Sequence, residues 1–150
     1  MKIIKYEDKY RDDMIFMILE AKNALGRVPG LNEDLLDIKR NYLDAGDMFW
    51  LAINEQDRVI GSIGYNSIRD TDEVWLHRLF VKYNLKRQGI GSALLEMAEN
   101  YIANQGKKVV RIHMGGNGFE ESKIFYPKHG YVLYRERYMM KNLKEKTVLV

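Results

Sequence analysis

The segment Lys86-Arg87-Gln88-Gly89-Ile90-Gly91-Ser92-Ala93 has the residue types and spacing best suited to chemistry. The first turn of a helix carries unpaired backbone N–H groups and the positive end of the helix dipole, so it attracts anions. Glycines at 89 and 91 remove the side chains that would hold a phosphate away. Lys82, Lys86 and Arg87 supply cations around the same turn. The plainer alternative is that Gly89 turns the chain and Gly91 permits close packing. The position of the segment, between a predicted strand and the strongest predicted helix, favours a diphosphate cradle.

Two other phosphate motifs do not fit. The Walker pattern is absent, and counting from Gly89 the sixth position is Leu94, where a dinucleotide fingerprint needs its third glycine. There are no cysteines, which excludes disulfides, thiolate metal sites and a cysteine nucleophile. His77, His113 and His129 are scattered without metal-ligand spacing, so no metal is expected. The 150 residues carry a net charge of +3, with both signs interspersed. A nucleic-acid binder would show a concentrated basic stripe. The mild excess suits a small anionic ligand on which cations converge.

The elements that must position this loop follow from periodicity. Lys2–Tyr6 is a short strand. Asp8 is expected to cap a helix with Tyr10, Met14, Met17, Ile18, Ala21 and Leu25 on one face, and Asn32 a second, with Leu35, Leu36, Ile38, Tyr42 and Leu43 inward, ended by Gly46. Phe49–Ile53, Val59–Ile68 and Glu73–Val81 are strands joined by polar turns, an antiparallel meander. Gly89 opens a helix whose inward positions are Ile90, Ala93, Leu94, Met97, Ala98, Tyr101 and Ile102. Lys108–Met114 is the next strand, reached by a right-handed crossover. A glycine-rich gap, a short helix over Phe119–Lys128 and a final strand or strand pair over Tyr131–Met140 complete the order β-α-α-β-β-β-α-β-α-β.

Leu79-Phe80-Val81, followed by Lys86-Arg87-Gln88-Gly89-Ile90-Gly91-Ser92-Ala93-Leu94-Leu95, resembles the acetyl-CoA-binding motif of the GNAT acetyltransferases. That motif is Arg/Gln-x-x-Gly-x-Gly/Ala after a strand ending in Leu-x-Val. Phe125-Tyr126-Pro127-Lys128-His129-Gly130-Tyr131 is similar to the family's Tyr-x-x-x-Gly-Phe segment. The element order over residues 1–142 agrees as well. The resemblance implies an α/β (α+β) fold in one domain, residues 1–142: a mixed, mostly antiparallel sheet with splayed central strands, flanked by helices. Residues 143–150 are then a tail; its apolar-ended stretch Lys144–Val150 is read as disordered, the alternative being a strand added to a neighbour's sheet.

The same resemblance implies a mechanism and a set of site residues. The pantetheine arm of acetyl-CoA lies between the splayed strands along Leu79, Phe80 and Val81. The diphosphate sits on Lys86, Arg87, Gln88, Gly89, Ile90, Gly91 and Ser92. An amine attacks the thioester directly, and a backbone N–H near Phe80 polarises the carbonyl. Tyr126 matches the tyrosine that protonates the leaving thiolate. For the base, His77 titrates in the right range, and Glu73, which shares its strand face if no bulge intervenes, is the second candidate. Phe119 stands where the family often has an asparagine that contacts the CoA arm, and Asn117 is the nearest substitute. Lys86 replaces the usual Arg or Gln at the head of the loop, and Tyr83 a common proline.

The expectation is therefore a metal-free, acetyl-CoA-dependent N-acetyltransferase acting on a small-molecule or peptide amine. The alternative is a GNAT-fold acyl-CoA-binding or sensing module without turnover. No nucleic-acid or membrane partner is expected, and a homodimer stays open. Met1–Lys5 lacks a signal-peptide h-region, and no apolar run approaches the ~20 residues of a membrane span, so the chain is expected to be cytoplasmic.

Overall fold

The computed structural model describes residues 1–28, 30–116 and 118–144. Strands β1 (Lys2–Lys5), β2 (Met48–Ile53), β3 (Val59–Ser67) and β4 (Glu73–Val81) precede β5 (Val109–His113), β6 (Val132–Arg135) and β7 (Tyr138–Asn142). The helices are α1 (Arg11–Ala24), α2 (Ile90–Asn104) and α3 (Glu120–Lys128). One seven-stranded sheet has the order β1-β2-β3-β4-β5-β7-β6. Among the described residues only the β4–β5 pair is parallel, and α2 is its crossover. The mixed, mostly antiparallel sheet expected from the sequence is the observed one.

Period two in β2 assigns the two faces. Phe49, Leu51 and Ile53 pack with Met14, Met17 and Ile18 of α1. Trp50 and Ala52 pack with Leu94, Ala98 and Ile102 of α2 and with Tyr126 of α3. Burial on both sides explains why β2 is a continuous apolar run. Each fully buried Leu or Ile of α2 contributes about 1.5–3 kcal/mol.

All three helices end in the same way. Beyond α1, Gly26 has φ 75° and the Arg27 N–H donates to the Lys22 carbonyl. Beyond α2, Gly106 has φ 81° and Lys107 donates to Ile102. Beyond α3, Gly130 has φ 89° and Tyr131 donates to Tyr126. This is the Schellman cap, which needs a left-handed residue that glycine supplies without strain.

Local structure departs from expectation in two places. Asp8 does not cap α1; it opens a 3-10 turn, Asp8–Tyr10, that leads into the helix without a side-chain cap. The helix expected after Asn32 is instead a 3-10 turn, Glu33–Leu36, and a π turn, Lys39–Leu43, and Leu36 is exposed. Asp37, at ψ 76°, breaks the helical run, and its carboxylate accepts from the Arg40 N–H. The Asn32 side chain, rather than capping, accepts from the Lys22 ammonium. The final segment is a strand pair, β6 and β7. Of the expected tail, the Leu143 N–H donates to the Lys108 carbonyl at 2.8 Å, while 145–150 lie outside the described residues.

Gly64 faces the Phe49 ring so closely that an added Cβ would lie 2.4 Å from it. Gly64→Ala is expected to cost about 1–3 kcal/mol through overpacking, read as a lower urea midpoint at unchanged slope.

Candidate active site

β4 changes character halfway along. In its first half Glu73, Trp75 and His77 are half-buried, while Val74 and Leu76 are buried. Against β3, Gly64 pairs with His77 but Ser62 pairs with Phe80, so three steps of β4 face two of β3. This is a β-bulge, and within it Arg78 takes φ 56°. The bulge follows His77, so Glu73, Trp75 and His77 do keep one face. Beyond it the parity inverts: Phe80 joins the α1-side core, while Leu79 and Val81 pack on the α2 side.

A left-handed arginine costs on the order of 1–3 kcal/mol, and two contacts hold it. The Ser62 hydroxyl donates to the Arg78 carbonyl at 2.8 Å. The Arg78 guanidinium donates to both carboxylate oxygens of Asp34, at 2.8 and 3.0 Å, a bidentate pair. The Tyr42 hydroxyl also donates to Asp34, at 2.6 Å. Burial pushes the Asp34 carboxyl up, but the hydrogen bonds from Arg78 and Tyr42 outweigh it and hold the group below its ordinary 3.8.

Parallel pairing of β4 with β5 covers only Glu73–Trp75. From Leu76 onward β4 has no β5 partner, and the strands part. A cleft of about 620 Å³ opens beside the second half of β4. Its walls are Leu79, Phe80 and Val81 of β4, the loop Leu85–Arg87, the start of α2, one side of α3, and Ala21, Leu25 and Arg27 at the end of α1.

At the α2 end, Arg87 (φ 65°) and Gly89 (φ 81°) are left-handed and turn the chain into the helix. Ala93 is the first residue whose N–H bonds back, to the Gly89 carbonyl at 3.0 Å. The N–H groups of Ile90, Gly91 and Ser92 precede it and have no helical acceptor. A Cβ on Gly91 would meet Val81 and Phe125 at ordinary contact, 3.5 and 3.6 Å. Ser92 Oγ and His129 Nε2 are in hydrogen-bond contact at 3.1 Å. The Lys86 ammonium donates to both oxygens of Glu121, at 2.8 and 2.9 Å.

The C-terminal motif has a physical basis. Gly130 caps α3, Tyr131 bonds back to Tyr126, and the two rings meet edge to face at 5.4 Å. The Tyr131 hydroxyl donates to Glu99 of α2 at 2.7 Å, which fixes that ring. The Tyr126 side chain instead lines the cleft, with no hydrogen bond to its hydroxyl among the described residues. Burial pushes its pKa well above the usual phenol range, only partly offset by the Arg27 charge, so it stays protonated.

The cleft thus gathers Leu79, Phe80, Val81, Lys86, Arg87, Gly89, Ile90, Gly91, Ser92 and Tyr126. Gln88 is exposed and does not line it, and Asn117 lies outside the described residues. His77 is on the α1-side face against Tyr42, with ring centroids 6.3 Å apart. Burial, then Arg78, lowers the His77 value from its ordinary 6.5. Glu73 is held by Arg111 at 2.7 Å, where β4 and β5 still pair. Neither lines the cleft. Sequence reasoning missed Arg78, whose signal was the failed alternation at Arg78-Leu79. Arg27, just after Gly26, lies on the cleft wall. Among the described residues no cluster of His, Asp and Glu could hold a metal, and no helix is long and apolar enough to cross a membrane.

A family model described as an acetyltransferase (GNAT) domain matches residues 45–133, and the chain belongs to that family. It is similar to a GNAT-family acetyltransferase from Staphylococcus aureus Mu50, at 26% identity and TM-score 0.86 over 95% of this chain and 99% of that one. The fold is shared with PaiA N-acetyltransferase from Thermoplasma acidophilum, crystallised with coenzyme A, at 19% identity and TM-score 0.74 over 94% and 98% of the two chains. Among curated relatives, human N-acetyltransferase 8 is 32% identical over 87 residues, 55% of this chain and 38% of that protein. The chain spans roughly two-fifths of the length of such relatives.

The Arg78–Asp34 pair makes stability depend on pH. Asp34 titrates lower when folded, so its contribution is complete above the unfolded value and lost as pH falls through the folded one. Asp34→Asn is expected to cost about 2 kcal/mol at pH 7. It is also expected to flatten the decline in urea stability below about pH 4.

Proposed function

We propose that the chain transfers an acetyl group from acetyl-CoA to an amine of a small molecule or peptide. The observation that carries this is the convergence in one cleft of free N–H groups at the α2 start, the second half of β4 with no β5 partner, and the Tyr126 hydroxyl without a hydrogen bond among the described residues. Family membership supports acyl transfer from CoA in general.

In this reading the diphosphate accepts from the backbone N–H groups around Gly89–Ser92, and the pantetheine arm runs along Leu79–Val81 as an added strand edge. The amine nitrogen attacks the thioester carbon. The carbon–nitrogen bond forms, and the tetrahedral oxygen is stabilised by a backbone N–H near Phe80. The carbon–sulfur bond then breaks, and the sulfur takes the Tyr126 proton. The proton lost by the amine passes to His77 through water. Burial keeps that imidazole neutral at pH 7, as a base must be. Glu73 is the weaker candidate because Arg111 already occupies its carboxylate.

The decisive experiment follows thiol release from acetyl-CoA across a panel of amines. Release with at least one class of amine supports the proposal; tight CoA binding with no release points to a binding module. Tyr126→Phe keeps the ring and removes the proton, so kcat is expected to fall by about 10²-fold with KM for acetyl-CoA and melting temperature little changed. Full activity in this variant overturns the acid role. His77→Gln is expected to slow turnover chiefly below about pH 8, where free amine is scarce. An unchanged pH–rate profile removes His77 from the reaction.

A further inference from the structure

Two cations stand by one ring of the cleft wall: Arg27, which lines the cleft, and Lys22, on the last turn of α1, which does not. The Arg27 guanidinium is 5.8 Å from the Phe80 ring centroid, and the Lys22 ammonium is 6.0 Å from it. Phe80 lies on the cleft wall where the reacting carbonyl is expected. Lys22 is 8% exposed, yet its partners are neutral: the Gly30 carbonyl and the Asn32 side-chain oxygen. Arg27 donates through Nε to the Gly118 carbonyl at 2.9 Å and stacks on Phe119 at 3.5 Å; no carboxylate bonds to it among the described residues.

The carboxylates in range are otherwise engaged. Asp34 is bound by Arg78 and Tyr42, and Glu121 by Lys86. Glu120 is exposed at the α3 start. Burial, followed by the Arg78 and Arg27 charges, works against the Lys22 ammonium, and the Asp34 charge offsets part of this. A buried cation hydrogen-bonded only to neutral groups is costly, so a ligand anion here would be favoured. The α1 cap holds both cations in place, because the Arg27 N–H donates to the Lys22 carbonyl at 3.0 Å.

We propose that the amine acceptor carries a carboxylate, which Lys22 and Arg27 bind across the Phe80 ring. This rests on the acetyl-transfer reading above and names its substrate class. The anion is held beside the reacting carbonyl, so the amine and the carboxylate sit a few bonds apart, as in an amino acid or a peptide with a free carboxylate near its amine. The cations orient the amine and take no part in proton transfer.

The test compares acceptors that differ only in that group: amino acids and the corresponding amino acid amides, with acetyl-CoA and thiol release as readout. The acids are expected to exceed the amides by about tenfold or more in kcat/KM. Arg27→Gln is expected to lower kcat/KM for the acids by about tenfold, mostly through KM, and for the amides by about threefold at most. Arg27→Lys, which keeps the charge, is expected to restore much of the preference. Lys22→Gln, which keeps a donor for Asn32, serves as a second variant. Binding is read separately as the rise in melting temperature produced by N-acetyl amino acids, against their amides, with CoA present. A rise for the acids alone that Arg27→Gln abolishes supports the anion site even where no amine releases thiol, an outcome that would overturn only the transfer reading. Equal use of acids and amides, or equal losses for both in Arg27→Gln, overturns the proposal.

Discussion

The hydrogen-bonded arginine in the middle of β4 is the constraint on which the rest of the molecule depends. Arg78 adopts a backbone conformation that arginine avoids, and the strand accepts it because Ser62 and Asp34 hold the residue from two sides. The consequences are geometric. The bulge inverts which residues face α1, delivers Phe80 to that side, and follows directly on the short stretch over which β4 and β5 remain paired. Beside this bulged half β4 has no β5 partner, and the cleft opens there. Asp34 sits far away in sequence, in the irregular segment between α1 and β2, so that segment is part of what shapes β4.

Much of this was legible in the sequence, for reasons that differ by element. The β2–β3–β4 meander showed itself through apolar runs broken by polar turns, and α2 through its repeating inward face. The loop at 86–93 declared itself because backbone binding of phosphate requires glycine, a requirement visible in residue type alone. The segment after Asn32 misled. Its apolar spacing was helical, but Asp34, Asp37 and Asn32 each bond elsewhere: to Arg78, to the Arg40 N–H and from Lys22. Local propensity lost to three contacts, two of them made at a distance. The bulge was hidden for a similar reason. Only the pairing with β3 reveals that three residues face two, although the lost alternation at Arg78-Leu79 was its trace.

The tyrosine motif shows how a sequence signature can be read as mechanics. The five-residue offset from Tyr126 to Tyr131 is the span of a helix cap, with Gly130 as its left-handed residue. The same span separates Lys22 from Arg27 and Ile102 from Lys107. In each case the cap ties the residue after the glycine to a fixed place on the last turn. At α3 this sets one tyrosine against α2 and leaves the other facing the cleft. At α1 it sets a lysine and an arginine beside the same phenylalanine.

The pair between Lys86 and Glu121 joins the two sides of the cleft mouth, the loop before α2 and the first turn of α3. The Glu121 carboxylate is mostly open to solvent, so the tie is a weak one that ions can screen. It crosslinks the loop to α3 at the rim, so rising ionic strength loosens this link first, while the Arg78–Asp34 pair, whose side chains are both three-quarters covered, is screened far less.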